Sequence, residues 1–332
     1  MSTNPALKRS TKNLNLLLCA SSLLLILSCS GGTATTTTGG GSTTGTPNAY
    51  TTVYKSLTWS NGTTVTFPTS CTMTITSTGA PSYHDPYYLG PVSTASPTQV
   101  AVTASGLKLA VVAYAPTSIT TDSNTLNICP AKATSSTATN LGPIGYITNG
   151  EFLYNAFEAT NTAALGDNVS YTFTLSGTSY TASFIDQCNS HSTPVTMGYT
   201  WHFHGVPLCV ATAVDGAAGA SHIIGIALDG FPVYGGRDIN GNVISVSQLD
   251  TCNGITSVTP EFPAGAYHYV LPIGVTNSQS SMNCYAGSVS GTLMARMEKL
   301  ACKMKNVKMN GMIMAGMTVD SPRKTGIAKP GM

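Results

Sequence analysis

The feature that most restricts the fold is a repetition inside the chain. Gly145-Tyr-Ile-Thr-Asn149-Gly150-Glu-Phe-Leu-Tyr154 is answered by Gly225-Ile-Ala-Leu-Asp229-Gly230-Phe-Pro-Val-Tyr234, and Asp186-Gln-Cys188-Asn189 by Asp250-Thr-Cys252-Asn253. Trp201-His202-Phe203-His204 is answered by Tyr267-His268-Tyr269-Val270. Three blocks that keep their order call for two similar half-units, about 142–209 and 222–288, packed against each other.

The material of residues 50–291 is rich in Thr, Val, Tyr and Gly and lacks long helical periodicity, so a mainly β class is expected. Its length allows a single sandwich- or barrel-like domain. Strands are expected at Thr51–Thr58, Thr63–Phe67 and Cys71–Thr76, with a turn at Asn61-Gly62, and a strand pair over Val100–Tyr114. A Ser/Thr-rich loop follows Cys129, and Asn240-Gly241 reads as a hairpin turn. This region holds four Lys or Arg against eleven Asp or Glu, which argues against nucleic-acid binding.

The flanks are different. Residues 1–28 carry basic Lys8, Arg9 and Lys12 followed by a short apolar run, the pattern of an export signal. Ile26-Leu27-Ser28-Cys29 resembles a bacterial lipobox, which implies lipidation at Cys29, anchorage to the bacterial membrane, and an outer-membrane or cell-surface location; plain secretion or a periplasmic location is the alternative. Residues 29–49 are almost wholly Gly, Thr and Ser and form a tether. Residues 292–332 hold eight of the twelve methionines and eight of the fifteen Lys and Arg. Leu293, Met297, Leu300, Met304 and Val307 recur at helical spacing, so a short amphipathic helix outside the β domain is expected, packed on the domain or on anionic membrane. Met309, Met312, Met314 and Met317, with Cys302, are candidate Cu(I) ligands.

Half of the six histidines fall between Asp186 and Cys209. On a strand, His202 and His204 point to one face, the geometry of a metal site. His268 occupies the place of His202 in the second half, and two packed halves are expected to bring both strands to one cleft. The expected site therefore uses His202, His204 and His268, completed by His84, His191 or His222, and holds a copper or zinc ion. Asp186 and Asp250 are candidates to orient ligating imidazoles, whereas Asp229 reads as a turn residue. Val270 and Ile255 stand where the first half has His204 and His191, so the site should be asymmetric.

In an exported chain, disulfides are the default. Repeat symmetry pairs Cys188 with Cys209 and Cys252 with Cys284, leaves Cys71 with Cys129, and leaves Cys302 unpaired. There is no Cys-x-x-Cys, nucleophile elbow, phosphate loop or dinucleotide fingerprint.

These blocks together, with Gly79-Ala80-Pro81 and His84, His222 ahead of Leu228-Asp229-Gly230-Phe231-Pro232, and Cys284, resemble the YHYH-domain family. The resemblance implies an exported bacterial protein carrying that domain from about Thr76 to Gly287. Three functions remain: a transition-metal-binding protein, a metal-dependent enzyme with an open coordination position, or a cell-surface module that binds a protein or glycan.

Overall fold

The strands Pro143–Ile147 (β5) and Ile223–Ala227 (β11) lie antiparallel at the centre of the protein, in register Gly225↔Ile147, Ile226↔Tyr146 and Ala227↔Gly145. Gly145 and Gly225 are equivalent in the repeat, and so are Ile147 and Ala227, so each of these pairs maps onto the other. The flanking bonds obey the same rule: the Thr148 amide donates to Ile224 O at 2.8 Å, and the Leu228 amide to Ile144 O at 3.0 Å. A pseudo-two-fold axis therefore runs through the Tyr146–Ile226 pair.

The computed structural model describes residues 49–59, 62–79, 121–158, 161–166, 170–175, 178–183, 185, 188–192, 201–296, 298–299 and 323–325. Before the central strands come a helix, Ala49–Tyr54 (α1), and the strands Thr64–Thr69 (β1), Thr72–Ser77 (β2), Asp122–Asn127 (β3) and Lys132–Ala138 (β4). The first half continues with Phe152–Tyr154 (β6), Ser170–Leu175 (β7), Thr178–Ser183 (β8), Ser190–Ser192 (β9) and Trp201–Phe203 (β10), and a helix, Leu208–Asp215 (α2). The second half adds Pro232–Tyr234 (β12), Gly254–Ser257 (β13) and Ala266–Val270 (β14), followed by Cys284–Gly287 (β15) and Arg323–Thr325 (β16).

The main sheet has eight strands in the order β13-β14-β12-β11-β5-β6-β10-β9. It is palindromic about its centre, with β6 matching β12, β10 matching β14 and β9 matching β13. The parallel pair Phe203↔Leu153 corresponds to Tyr269↔Val233, and the antiparallel pair His202↔His191 to His268↔Ile255. The sheet ends in β13 and β9 and does not close into a barrel.

A three-stranded sheet, β1-β2-β3, packs on it in a sandwich-like layer. β2 and β3 bury every second residue, as strands with one face on a core do. Met73, Ile75 and Leu126 from this layer join Tyr146, Phe152 and Ile226 in one buried cluster. Full burial of each such side chain contributes about 1.5–3 kcal/mol. Polar ties cross the layers: Tyr146 OH donates to Asp122 at 3.0 Å, Tyr54 OH to Gly230 O at 2.7 Å, and Ser77 Oγ to Gly150 O.

Among the described residues the disulfides are Cys71–Cys129, Cys188–Cys209 and Cys252–Cys284, the last two as repeat symmetry favours and the first as the pair it leaves over. Three local expectations are corrected. Residues 49–54 are helical rather than extended, because Thr51 and Tyr54, one helical turn apart, both reach the core, and this burial outweighs the strand preference of Thr and Val. The first hairpin accordingly joins β1 to β2, closing between Thr69 and Thr72 and not at Asn61-Gly62. The segment after Cys129 is no loop but β4, paired with β15. The expected helix at the start of the tail is present and packs on the domain, one of its two expected placements: it begins at residue 291, Leu293 is buried in the core, and Arg296 donates to Asn124 at 2.6 Å and pairs with Asp122. β16 also pairs with β7. The expected Val100–Tyr114 strand pair lies outside the described residues, as does Cys302.

Gly230 closes the β11–β12 hairpin at φ 88°, and a Cβ there would stand 1.9 Å from Asn127 O in the neighbouring layer. Positive φ and this backbone contact both oppose a side chain. Gly230→Ala should lower stability by at least about 2 kcal/mol in a denaturant titration, whereas Gly274→Ala, at φ 75° with nothing near its Cβ, should cost less.

Candidate metal centre

β10 carries His202 with Trp201 and Phe203 on the opposite face, and His204 follows directly. The next strand, β9, places His191 beside His202 in the ladder. β9 is delivered by a turn in which Asn189 takes φ 69°, a left-handed conformation that Asn tolerates better than most residues. Asn189 then serves both ends of the site: its carbonyl accepts the His204 amide at 3.3 Å, and its Nδ2 donates to Val206 O at 2.9 Å. Ser280 Oγ donates to His204 O at 2.7 Å. Gly205 leaves room for this close approach, since a Cβ there would meet Leu165 at 2.7 Å and Ser280 O at 3.1 Å.

The result is a buried trio. One ring nitrogen from each of His191, His202 and His204 lies within 4.8 Å of the others, and His191 Nε2 is 2.9 Å from His204 Nε2. Tyr154 stacks on His202 with ring centroids 3.8 Å apart and closes one side. His204 Nδ1 lies 2.7 Å from Asn155 O, and because a carbonyl only accepts, this nitrogen carries the proton. His204 Nε2 therefore offers a lone pair toward His191. The remaining gap between the two nitrogens holds either a proton donated by His191 or a cation bound by both. Two nitrogens on a tetrahedral ion at about 2.0–2.1 Å stand about 3.3 Å apart. The 2.9 Å pair is already near that, and the widest pair in the trio must close by at most about 1.5 Å.

Burial drives the His204 pKa down to about 4, against a smaller upward pull from its bond to Asn155 O. The imidazole is thus neutral at neutral pH, the state a metal requires.

The structure brings together three of the expected ligands and separates the others. His268 is not in the trio. It lies on the same sheet face as His202, but the palindromic order places β14 five strand spacings from β10, about 24 Å. The expected common cleft does not form, because an axis through the sheet centre sends equivalent strands outward in opposite directions. His268 instead packs against Tyr234 at 4.6 Å and its Nδ1 donates to Ala266 O at 3.0 Å, with burial lowering its pKa. His222 is also elsewhere, its Nδ1 bonded at 2.8 Å to Glu261, which accepts a second bond at 2.8 Å from Tyr234 OH. Asp250 orients no imidazole: its oxygens accept the Cys252 and Gly254 amides at 3.0 and 2.8 Å and Tyr267 OH at 2.9 Å. Asp229 bonds the Phe231 amide as a turn residue, and also accepts Tyr269 OH at 2.6 Å and the Gly287 amide at 2.9 Å. His84, Asp186 and Cys29 lie outside the described residues. Two contributors were not anticipated, the Asn155 carbonyl and the Tyr154 ring. Tyr154 stands in the repeated block opposite Tyr234, which also packs on its half's histidine, His268, though tilted by 57° rather than stacked, so the repeat held that signal.

The depressed His204 pKa has a consequence for metal-free protein. Between pH 6.5 and 4 the unfolded chain binds a proton at His204 that the folded chain does not, so stability is intact above pH 6.5 and falls as pH drops toward 4. A shift of that size amounts to on the order of 3 kcal/mol. Urea titrations with chelator present should show this loss in wild type and a shallower one in His204→Gln.

Residues 123–242 and 238–287 match the sequence family described as YHYH protein. No curated protein and no solved structure matches the chain.

Proposed function

Since the chain belongs to the YHYH protein family, we propose that its domain is an exported transition-metal-binding module that holds one copper or zinc ion through His191, His202 and His204. The observation that carries this reading is the convergence of three buried imidazole nitrogens within 4.8 Å, one of them fixed by Asn155 O in the tautomer that leaves Nε2 free to ligate. Three mutually close imidazoles repel one another's protonated forms and gain from sharing a cation. Imidazole suits both metals, and the order of divalent affinities places copper above zinc. The methionines of residues 292–332 also favour copper, as soft donors for Cu(I).

Export is supported by three disulfides, which persist in oxidising compartments. Lipidation of Cys29 would place the domain on the membrane surface at the end of the Gly/Ser/Thr tether. A second reading, catalysis, rests on the ligand count: three imidazoles leave a fourth position for water or substrate, as catalytic zinc sites do.

Metal content per chain after exposure to zinc or copper and desalting tests the site. Wild type should retain one ion, and His191→Ala, His202→Ala and His204→Ala should each retain little, since two imidazoles hold an ion far more weakly than three. His268→Ala should match wild type. A wild-type chain that stays metal-free, or loss of metal in His268→Ala alone, rejects the assignment.

A further inference from the structure

The disulfide Cys188–Cys209 spans 21 residues, and all three histidines of the trio lie inside that loop. Its equivalent, Cys252–Cys284, spans 32 residues and encloses only His268. The first bridge ties the two ends of the site together. Cys188 sits directly before Asn189, whose left-handed turn launches β9 and His191. Cys209 lies in the first turn of α2, just beyond His204, and the Leu208 amide beside it donates to Cys188 O at 3.3 Å. β9 has only three residues and, among the described residues, ends the sheet and pairs with β10 alone. Cys188, Ser190 and His191 are nonetheless buried, so the covalent tie at Cys188 anchors a segment that is packed into the protein at the sheet's end. His191 is held against His202 and His204 by this short ladder, by the flanking hydrogen bonds of Cys188, Asn189 and Ser190, the last from Ser190 Oγ to Glu151 at 3.1 Å, and by one covalent tie.

The two bridges also differ in access. Cys209 is half-buried, whereas Cys252 and Cys284 are both buried. Thiol–disulfide exchange requires a thiolate to reach one sulfur.

We infer that Cys188–Cys209 is a redox-controlled clamp on the metal centre: oxidised, it holds His191 in the trio, and reduced, it lets β9 leave and the ion escape. This rests on the metal-binding reading above. The reductant is an external dithiol. Its thiolate attacks Sγ of Cys209 and expels the Cys188 thiolate, and its second thiol then resolves the mixed disulfide and frees Cys209. Two electrons pass from the dithiol, which leaves as its own disulfide, and two protons end on Cys188 and Cys209. Release of metal then needs no unfolding of the central sheet.

The test measures zinc affinity of the full chain by competition with a chromophoric chelator. Cys188→Ser/Cys209→Ser should weaken binding at least tenfold, while Cys252→Ser/Cys284→Ser changes it less than threefold. In a His191→Ala background the first pair of substitutions should cost nothing further, because the ligand it positions is gone. Unchanged affinity in Cys188→Ser/Cys209→Ser, or an equal loss with both serine pairs, overturns the clamp. A wild-type chain that binds no zinc defeats the metal site itself and is read separately. Should the serine pair prevent folding, zinc-loaded wild type is pulsed with a water-soluble phosphine, which is oxidised as the bridge is reduced, and then alkylated. Zinc released in step with alkylation of Cys188 and Cys209 supports the clamp, and zinc retained after both are alkylated overturns it.

Discussion

Everything in this fold depends on the antiparallel pairing of β5 with β11. Each strand brings a glycine to the interface, Gly145 and Gly225, and a Cβ on either would stand 2.8 or 2.5 Å from a carbonyl of the partner strand. That close backbone approach sets the register, and the register sets the axis. From the axis follow the palindromic strand order, the two outer β9–β10 and β13–β14 pairs, and the distance that keeps them apart. The histidine trio is built at one end of this sheet because its strands are third and fourth from the axis.

The same scaffold treats its two ends differently. At the first, three imidazoles meet in a buried space with Tyr154 as a wall. At the second, Ile255 and Val270 occupy the places of His191 and His204, and only His268 remains beside Tyr234. The turn carbonyl of Asn253 still accepts the Val270 amide at 2.8 Å, as Asn189 does for His204. The backbone is thus shared between the halves while the imidazoles are not, so this backbone arrangement forms without a histidine trio.

The sequence made the repeat, the β class, the three disulfides and the His202–His204 pair legible, because each depends on local spacing or on equivalence between blocks. It did not reveal where the symmetry axis lies. Equivalence says that His202 and His268 have like surroundings, and only the central pairing decides whether they are neighbours. An axis at the sheet centre makes them distant, so His191, whose position depends on a turn at Asn189, takes the place assigned to His268. The helix α1 escaped detection for a related reason: Thr51, Thr52 and Val53 favour strands locally, and their helical conformation is imposed by a core that the segment meets only after folding. That the tail helix settles on the domain and not on a membrane was equally hidden, because Asp122, the partner of its Arg296, lies far away in sequence.

The spacing of the ligands along the chain sets an order of events. The ladder that defines the sheet joins Gly145 to Ala227, a long-range contact whose chain-closure entropy must be met before it stabilises anything. The histidine loop closes across only 21 residues, between Cys188 and Cys209. Low contact order favours the loop, so the three imidazoles can be gathered while the sheet is still open, and an ion taken up as proposed above would meet them when they are most accessible. The finished sheet would then close over it.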